Sequence, residues 1–298
     1  PEVAAARAAG VPVLQRGALL AAWVSAHARS VAVCGAHGKT TTTLFTVRLL
    51  QEAGVPVEWC IGGEAAALGE VAGRSGAADG DWLVVEADES DGTLALYGPQ
   101  ITVVTNIDLD HLEHFSGPED LAACYRRAVD ATRGGVAWCA DNPAAAAVCA
   151  GRPGLSFGFH PDAGLRATDV VCRPASVAFT VCCEGRTLGR VTLGVPGRHN
   201  VLNALAALAA AILAAVPPAA ALAHLEAACS ELPRRRFETV AQAGGCRVVI
   251  DYAHHPQEIG ALMRMAREGE AGPLTVVFQP HRYTRTLALR DAFPPAFD

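Results

Sequence analysis

The chain has 298 residues, 51% hydrophobic and 18% charged, which excludes a disordered segment and gives length for roughly two hydrophobic cores. Its net charge of −6 argues against a nucleic-acid grip, and its longest wholly apolar run, 204–216, is well short of the ~20 residues of a membrane span. Of 24 basic residues a single one is lysine, Lys39; a site that keeps a compact ammonium where the planar guanidinium is otherwise the rule is marked for a specific task.

The sequence begins with Pro1, and residues 1–28 read as helix, short strand (11–14) and helix, the tail of an α/β unit. A buried strand, Ser30–Cys34, then runs into Gly35-Ala36-His37-Gly38-Lys39-Thr40-Thr41 and a helix over 40–53. A strand, a glycine-rich turn and a helix start bring backbone N–H groups and a partial positive charge to one point, and the lysine neutralises outer phosphates. Thr40 can offer its hydroxyl to Mg²⁺. Val33 stands where the commoner phosphate-loop pattern has glycine, so this loop is a shorter G-x-x-G-K-T-T.

Trp82–Glu86 is the next apolar strand, and it ends in Glu86-Ala87-Asp88-Glu89-Ser90-Asp91. Four carboxylates in six residues are costly unless solvated or paired with a cation, and Mg²⁺ prefers oxygen ligands. A strand over 101–105 leads into Asn106-Ile107-Asp108-Leu109-Asp110-His111 and sets a carboxylate and an imidazole at a neighbouring strand end, where open α/β sheets bind their ligands. A helix over 118–132 and a strand over 136–139 follow. The stretch from about 155 to 195 is β-rich, with Gly and Pro turns and a strand over 177–182, and interrupts the alternation. Gly197-Arg198-His199-Asn200 opens an apolar helix over 200–216; on their own, His199 and Asn200 read equally as caps. A helix over 219–230 precedes the polar stretch 231–236, a candidate linker containing Arg236. Beyond it, strand Cys246–Ile250, a helix over 256–267 and a strand over 274–278 begin a second α/β unit. Asp251-Tyr252-Ala253-His254-His255 and Gln279-Pro280-His281-Arg282-Tyr283-Thr284-Arg285 sit at its two strand ends. Alternating strands and helices, with strands apolar on both faces, give a doubly wound α/β sheet. Ten cysteines without a C-x-x-C pair or a disulfide-framework spacing read as reduced core residues of a cytoplasmic protein.

These motifs, in this order, resemble the Mur ligase family over nearly the whole chain. The resemblance implies the end of a UDP-binding domain (1–28), a central P-loop ATPase domain with a mostly parallel sheet (29–232) and the start of a C-terminal Rossmann-like domain (233–298), a chain cut at both ends and by itself inactive. It further implies ATP and Mg²⁺ as cofactors, and UDP-N-acetylmuramate and L-alanine as substrates joined through an acyl phosphate in peptidoglycan precursor synthesis. Oligomeric state is left open. Gly35, Ala36, His37, Gly38, Lys39, Thr40 and Thr41 would hold the ATP phosphates, Asn200 the adenine, Asp251 the ribose, and Arg236 the phosphates from the C-terminal side. Thr40 and Glu86 would bind one Mg²⁺, and Glu86 with His111 a second. Lys39, Glu86, His111 and Arg236 would carry the catalysis, while Tyr252, His281, Arg282 and Arg285 face the amino acid and the muramyl carboxylate.

Two departures bear on this. Ala36 replaces a usual threonine, and the carbamoylated lysine of many Mur ligases has no counterpart, since Tyr125 lies near that place and no second lysine exists. The alanine-adding branch resembles this chain in lacking that lysine. Alternatives are a ligase recycling murein tripeptide, whose later strand end resembles E-P-R-S-N-T, and a non-catalytic ATP-binding remnant. A guanine-reading switch would need N-K-x-D, which a one-lysine chain cannot hold.

Overall fold

The computed structural model describes residues 1–75, 81–108, 114–269 and 272–298. Two helices, α1 (Glu2–Ala8) and α2 (Arg16–Ala26), precede β1 (Ser30–Cys34) and α3 (Lys39–Glu52). The chain continues through β2 (Val57–Cys60), β3 (Gly73–Arg74), β4 (Trp82–Glu86), β5 (Ile101–Val104), α4 (Pro118–Asp130), β6 (Gly135–Cys139), α5 (Pro143–Cys149) and β7 (Gly154–Gly158). Three long strands follow, β8 (Leu165–Arg173), β9 (Ser176–Cys183) and β10 (Arg186–Leu193), then α6 (Arg198–Leu213) and α7 (Pro218–Ala228).

Among the described residues these strands form one ten-stranded sheet in the order β10-β9-β8-β7-β6-β5-β1-β4-β2-β3. From β8 to β2 neighbouring strands pair in parallel, while β3 at one edge, and β9 on β8 and β10 on β9 at the other, pair antiparallel. Successive side chains of β1 serve opposite faces, as the pleat requires. Val31 and Val33 join a core with α3, α6 and α7; Ala32 and Cys34 join a second core with α2, α4 and α5. Both faces are covered, which is why the central strands read as unbroken apolar runs. Within the apolar 204–216 run, Ala204 to Ala211 of α6 are wholly inaccessible, whereas Ala215, beyond the helix, is exposed.

The β-rich stretch interrupts the strand-helix alternation, as its sequence suggested, and it extends the same sheet: β8 pairs with β7 through Leu165 opposite Phe157 and Arg166 opposite Gly158, and the meander grows outward from there. Two expected strands are not formed. Residues 11–15 are irregular, with Pro12 lacking an N–H and Val11 and Leu14 exposed, so no neighbouring edge receives them. Residues 274–278 form no strand, and Val277 is 95% exposed; an apolar run becomes a strand only where an edge accepts it.

The remainder is a hairpin, β11 (Glu238–Ala243) with β12 (Cys246–Ile250), followed by α8 (Pro256–Gly269), α9 (Tyr283–Ala288) and α10 (Phe293–Ala296). Ile259, Met263 and Phe293 form its small core, with Phe278 and Phe297 against them. The 231–236 stretch is held to the connection between β2 and β3 by backbone and side chain. The Arg234 N–H donates to the Glu64 carbonyl at 2.8 Å, its guanidinium pairs with Glu70 and Glu238, and the Ala67 N–H donates to Glu231.

Candidate functional site: a phosphate loop facing a second unit

The turn after β1 is built to come close to an anion. Gly38 caps α3 with φ of 80°, a left-handed conformation that costs an L-side chain about 1–2 kcal/mol. A Cβ on Gly38 would also lie 2.5 Å from Asn203 Oδ1, and one on Gly35 would lie 2.0 Å from Thr105 Oγ1. The loop is fixed from the end of β5. The His37 N–H donates to Asn106 Oδ1 at 2.8 Å, the Ala36 N–H donates to the Asn106 carbonyl, and the His37 carbonyl accepts from the Thr105 hydroxyl and the Asn106 amide. Because Ala36 contributes its backbone N–H, the missing threonine leaves the loop's shape intact.

The four clustered carboxylates separate into different tasks. Glu86 Oε1 accepts from the Thr40 hydroxyl at 3.1 Å, and its Oε2 accepts from the Gly62 N–H at 2.7 Å. Glu89 takes Lys39 Nζ at 3.1 and 3.3 Å, and Asp88 stands 3.6 Å from the same ammonium. Burial alone would pull the Lys39 ammonium down, but Glu89, Asp88 and Glu86 together hold it well above the usual lysine range. It is a permanent cation. Asp91 caps the turn at Thr93 instead, through the Thr93 N–H and hydroxyl.

Opposite the loop, a cavity of about 200 Å³ is lined by His37, Gly38 and Thr41 from the loop, Asn200 and Asn203 from α6, and Arg236, Asp251 and Glu258 from the C-terminal unit. The two asparagines form one chain on a helix face: Asn203 Oδ1 accepts from the Thr42 hydroxyl, Asn203 Nδ2 donates to Asn200 Oδ1, and Asn200 Nδ2 donates to the Pro196 carbonyl. Neither His199 nor Asn200 caps α6: its N-cap is Gly197, with no side-chain cap hydrogen bond. Asp251 accepts from the N–H groups of Phe237 and Ala253 at 2.8 and 2.7 Å, yet burial pushes its carboxyl above the usual range. His199 is pulled down to about 4, first by burial and then by the Arg236 cation, so it is neutral at pH 7.

The loop also touches the second unit directly. His37 Nδ1 is 3.2 Å from Glu258 Oε1, its ring lies 4.8 Å from that of His255, and Gln257 donates to Asp108 at 3.3 Å. Burial alone would raise the Glu258 carboxyl, but His37 and His254 together hold it far below the carboxylate range. Farther out, the guanidinium groups of Arg235 and Arg236 lie 5.3 and 5.5 Å from the Tyr252 ring. Tyr252 meets His254, His254 meets His281, and Arg285 donates to the His281 carbonyl at 3.2 Å. Arg285 is buried, while Arg282 caps α9 from outside with φ of 69°.

Lys39, Thr40, Glu86, Asn200, Asp251 and Arg236 therefore converge around the loop and its cavity, and Tyr252, His281 and Arg285 form an adjoining group. His111 lies outside the described residues. Sequence reading missed Glu89 as the lysine's partner, Glu258 as the partner of His37, and Asn203. The i, i+3 spacing of Asn200 and Asn203 on one helix was a usable signal for the last; nothing local announces the other two pairs.

The Mur ligase middle domain matches residues 33–211, and the Mur ligase glutamate ligase domain matches 235–296. The chain belongs to the Mur ligase family. Its relatives include the UDP-N-acetylmuramate–L-alanine ligases of Symbiobacterium thermophilum and Pelotomaculum thermopropionicum, each 40% identical over 100% of this chain and over 62% and 64% of their own lengths. This Mur ligase chain thus spans a little under two thirds of those relatives. Among solved structures, the UDP-N-acetylmuramate–alanine ligase of Thermotoga maritima superposes with a TM-score of 0.82 at 27% identity, covering 97% of this chain and 66% of that one. The UDP-N-acetylmuramate:L-alanyl-γ-D-glutamyl-meso-diaminopimelate ligase of Neisseria meningitides reaches 0.67 at 25% identity over 80% of this chain and 75% of that one. Among the described residues, no helix of this Mur ligase is long and apolar enough to cross a membrane.

Proposed function

We propose that the protein carrying this chain is an ATP-dependent ligase of the bacterial cytoplasm that joins L-alanine to the carboxylate of UDP-N-acetylmuramate in peptidoglycan precursor synthesis. The observation that supports this best is a cavity shared by the phosphate loop, Asn200 and the C-terminal Arg236 and Asp251. The names of the 40%-identical relatives point the same way. In this reading residues 1–28 end a UDP-binding domain, 29–232 form the ATPase domain and 233–298 begin the ligase domain.

The muramyl carboxylate takes the γ-phosphoryl group and ADP leaves; the alanine amine then attacks the acyl phosphate carbonyl, and phosphate departs as the C–O bond breaks. Mg²⁺, when bound, would supply positive charge beside the phosphates. Thr40 and Glu86 fit such an ion. They offer two hard oxygen donors 3.1 Å apart beside the loop, and Mg²⁺ keeps few protein ligands when phosphates and water complete its shell. His111 is proposed as a ligand to a second Mg²⁺ shared with Glu86.

Lys39 would leave Glu89 and Asp88 for the phosphate oxygens, and backbone N–H groups from Gly35 to Thr41 would hold the same oxygens from the helix end. Asn200 would read the adenine, Asp251 the ribose hydroxyls and Arg236 a phosphate. Tyr252, His281, Arg282 and Arg285 would face the muramyl carboxylate and alanine; guanidinium forks match carboxylates. Positioning and charge neutralisation carry most of the rate in such a transfer.

ADP release by the protein is expected to require UDP-N-acetylmuramate and L-alanine together. Equal turnover with L-alanyl-γ-D-glutamyl-diaminopimelate in place of alanine would overturn the assignment.

A further inference from the structure

The His37 side chain carries the phosphate loop across to the C-terminal unit. Its backbone is committed to the end of β5: the N–H donates to Asn106 Oδ1 at 2.8 Å, and the carbonyl accepts from the Thr105 hydroxyl at 2.8 Å and the Asn106 amide at 3.0 Å. The ring therefore stands on a fixed stem, and both its nitrogens face carboxylates. Nδ1 lies 3.2 Å from Glu258 Oε1, and Nε2, buried without a hydrogen bond, stands 3.6 Å from Asp108 Oδ2. The His37 and Glu258 side chains are 16% and 13% exposed, so water and salt screen their attraction little.

Glu258 is as firmly placed from its own side. It lies in the first turn of α8, where its Oε2 accepts from the N–H groups of His254 and His255 at 3.0 and 3.3 Å, and His255 Nδ1 accepts from the Gln257 N–H at 3.3 Å in return. Such reciprocal bonding is the logic of a capping box, and it fixes the carboxylate on the helix. One oxygen serves the cap while the other is turned to His37. Gln257 closes the circuit, since its Nε2 donates to Asp108 Oδ1 at 3.3 Å and the second oxygen of Asp108 faces His37. His37 and Asp108 thus meet Glu258 and Gln257 in a closed ring across the two units, and His37, Gln257 and Glu258 line the cavity.

A ligand that touches both units binds only the arrangement in which they are docked, so its apparent affinity falls with the fraction of chains docked. In the proposed function the nucleotide is such a ligand, with the loop and Asn200 on one side and Arg236 and Asp251 on the other. We propose that the His37 side chain is a positioning residue: through Glu258 it docks the C-terminal unit on the phosphate loop, and so assembles the nucleotide cavity before the nucleotide arrives. The docking stands on the contact itself, and its effect on affinity rests on the proposed reading of the cavity as a nucleotide site. His37 then has two separate tasks, its backbone shaping the loop and its ring holding the other wall in place.

The test uses the 298-residue chain with His37→Ala, His37→Asn and Glu258→Gln, and with His37→Ala combined with Glu258→Gln. Glutamine keeps the capping box, and asparagine sets a nitrogen close to the place of the ring Nδ1. Two quantities are read: the calorimetric Kd for Mg-ATP, and, without nucleotide, the rate of trypsin cleavage at the arginines of 234–236 that join the units, which follows the undocked population. His37→Ala is expected to raise Kd about tenfold, equivalent to about 1.4 kcal/mol, and to speed cleavage several-fold. His37→Asn is expected to stay within about threefold of the parent in both. In the Glu258→Gln background His37→Ala is expected to move either quantity less than about twofold, because the pair is already broken. A tenfold rise in Kd that persists in that background would mean the ring acts on the nucleotide directly, and would overturn the proposal. So would parent-like cleavage and Kd in His37→Ala, or a His37→Asn chain as impaired as His37→Ala. Faster cleavage of His37→Ala, in a protein whose parent does not bind Mg-ATP, would uphold the docking and overturn the nucleotide reading.

Discussion

Acidification from pH 7.5 to 5.0 should destabilise this protein through one residue on the cavity wall. His199 titrates at about 4 in the folded chain against 6.5 unfolded. A histidine whose folded value is depressed stabilises fully above the unfolded value, and that stability is lost as pH falls from 6.5 towards 4, because the unfolded chain then binds the extra proton. Over this interval the loss comes to about 2 kcal/mol, with one pKa unit equal to about 1.4 kcal/mol. Glu258 acts in the same direction but lower, since a depressed carboxylate loses its contribution only below the unfolded value of 4.5. Urea unfolding at both pH values, for the parent and for His199→Gln, isolates the effect, because the other titrating groups cancel in the comparison. The variant is expected to lose about 2 kcal/mol less than the parent across the interval. Equal losses would refute the reasoning, and would mean His199 keeps solvent contact in the folded state.

Three substitutions probe the loop and its surroundings. Gly38→Ala combines a left-handed φ of 80° with a contact of 2.5 Å to Asn203, so it should cost at least about 1–2 kcal/mol in unfolding free energy and weaken Mg-ATP binding; parent-like values for both would contradict the loop geometry. Gly62→Ala puts a methyl group 2.8 Å from both Glu86 oxygens, so the Mg²⁺ concentration giving half-maximal ADP formation should rise several-fold, and no change would remove Glu86 from the metal site. Lys39→Arg should lower ADP formation on the order of a hundredfold, since a planar fork cannot take the place of a point charge between Glu89 and the phosphates; full activity would make the single lysine incidental.

The sequence was most legible where local pattern and tertiary setting agree. Ser30–Cys34 and Trp82–Glu86 were bounded correctly because they are buried on both faces, and their apolar runs leave no competing conformation. The phosphate loop was visible because glycine, lysine and threonine each carry a separate physical requirement there. The acidic stretch 86–91 was recognised as a cluster but not resolved. Glu86, Glu89 and Asp91 face Thr40, Lys39 and Thr93 respectively, and that division depends on how the strand end turns. His37 with Glu258 joins residues from two units, a long-range pairing that no window of sequence contains. The unpaired 274–278 run is the reverse case, an intrinsic strand preference with no accepting edge.

The central claim is that a loop of this design drives amide formation by phosphorylating a carboxylate. It is tested most directly by supplying UDP-N-acetylmuramate labelled with oxygen-18 in its carboxylate, together with ATP, Mg²⁺ and L-alanine, and weighing the released phosphate. The account predicts one labelled oxygen in each phosphate formed, because the C–O bond of the acyl phosphate breaks when the amine attacks. Product accompanied by unlabelled phosphate would contradict it.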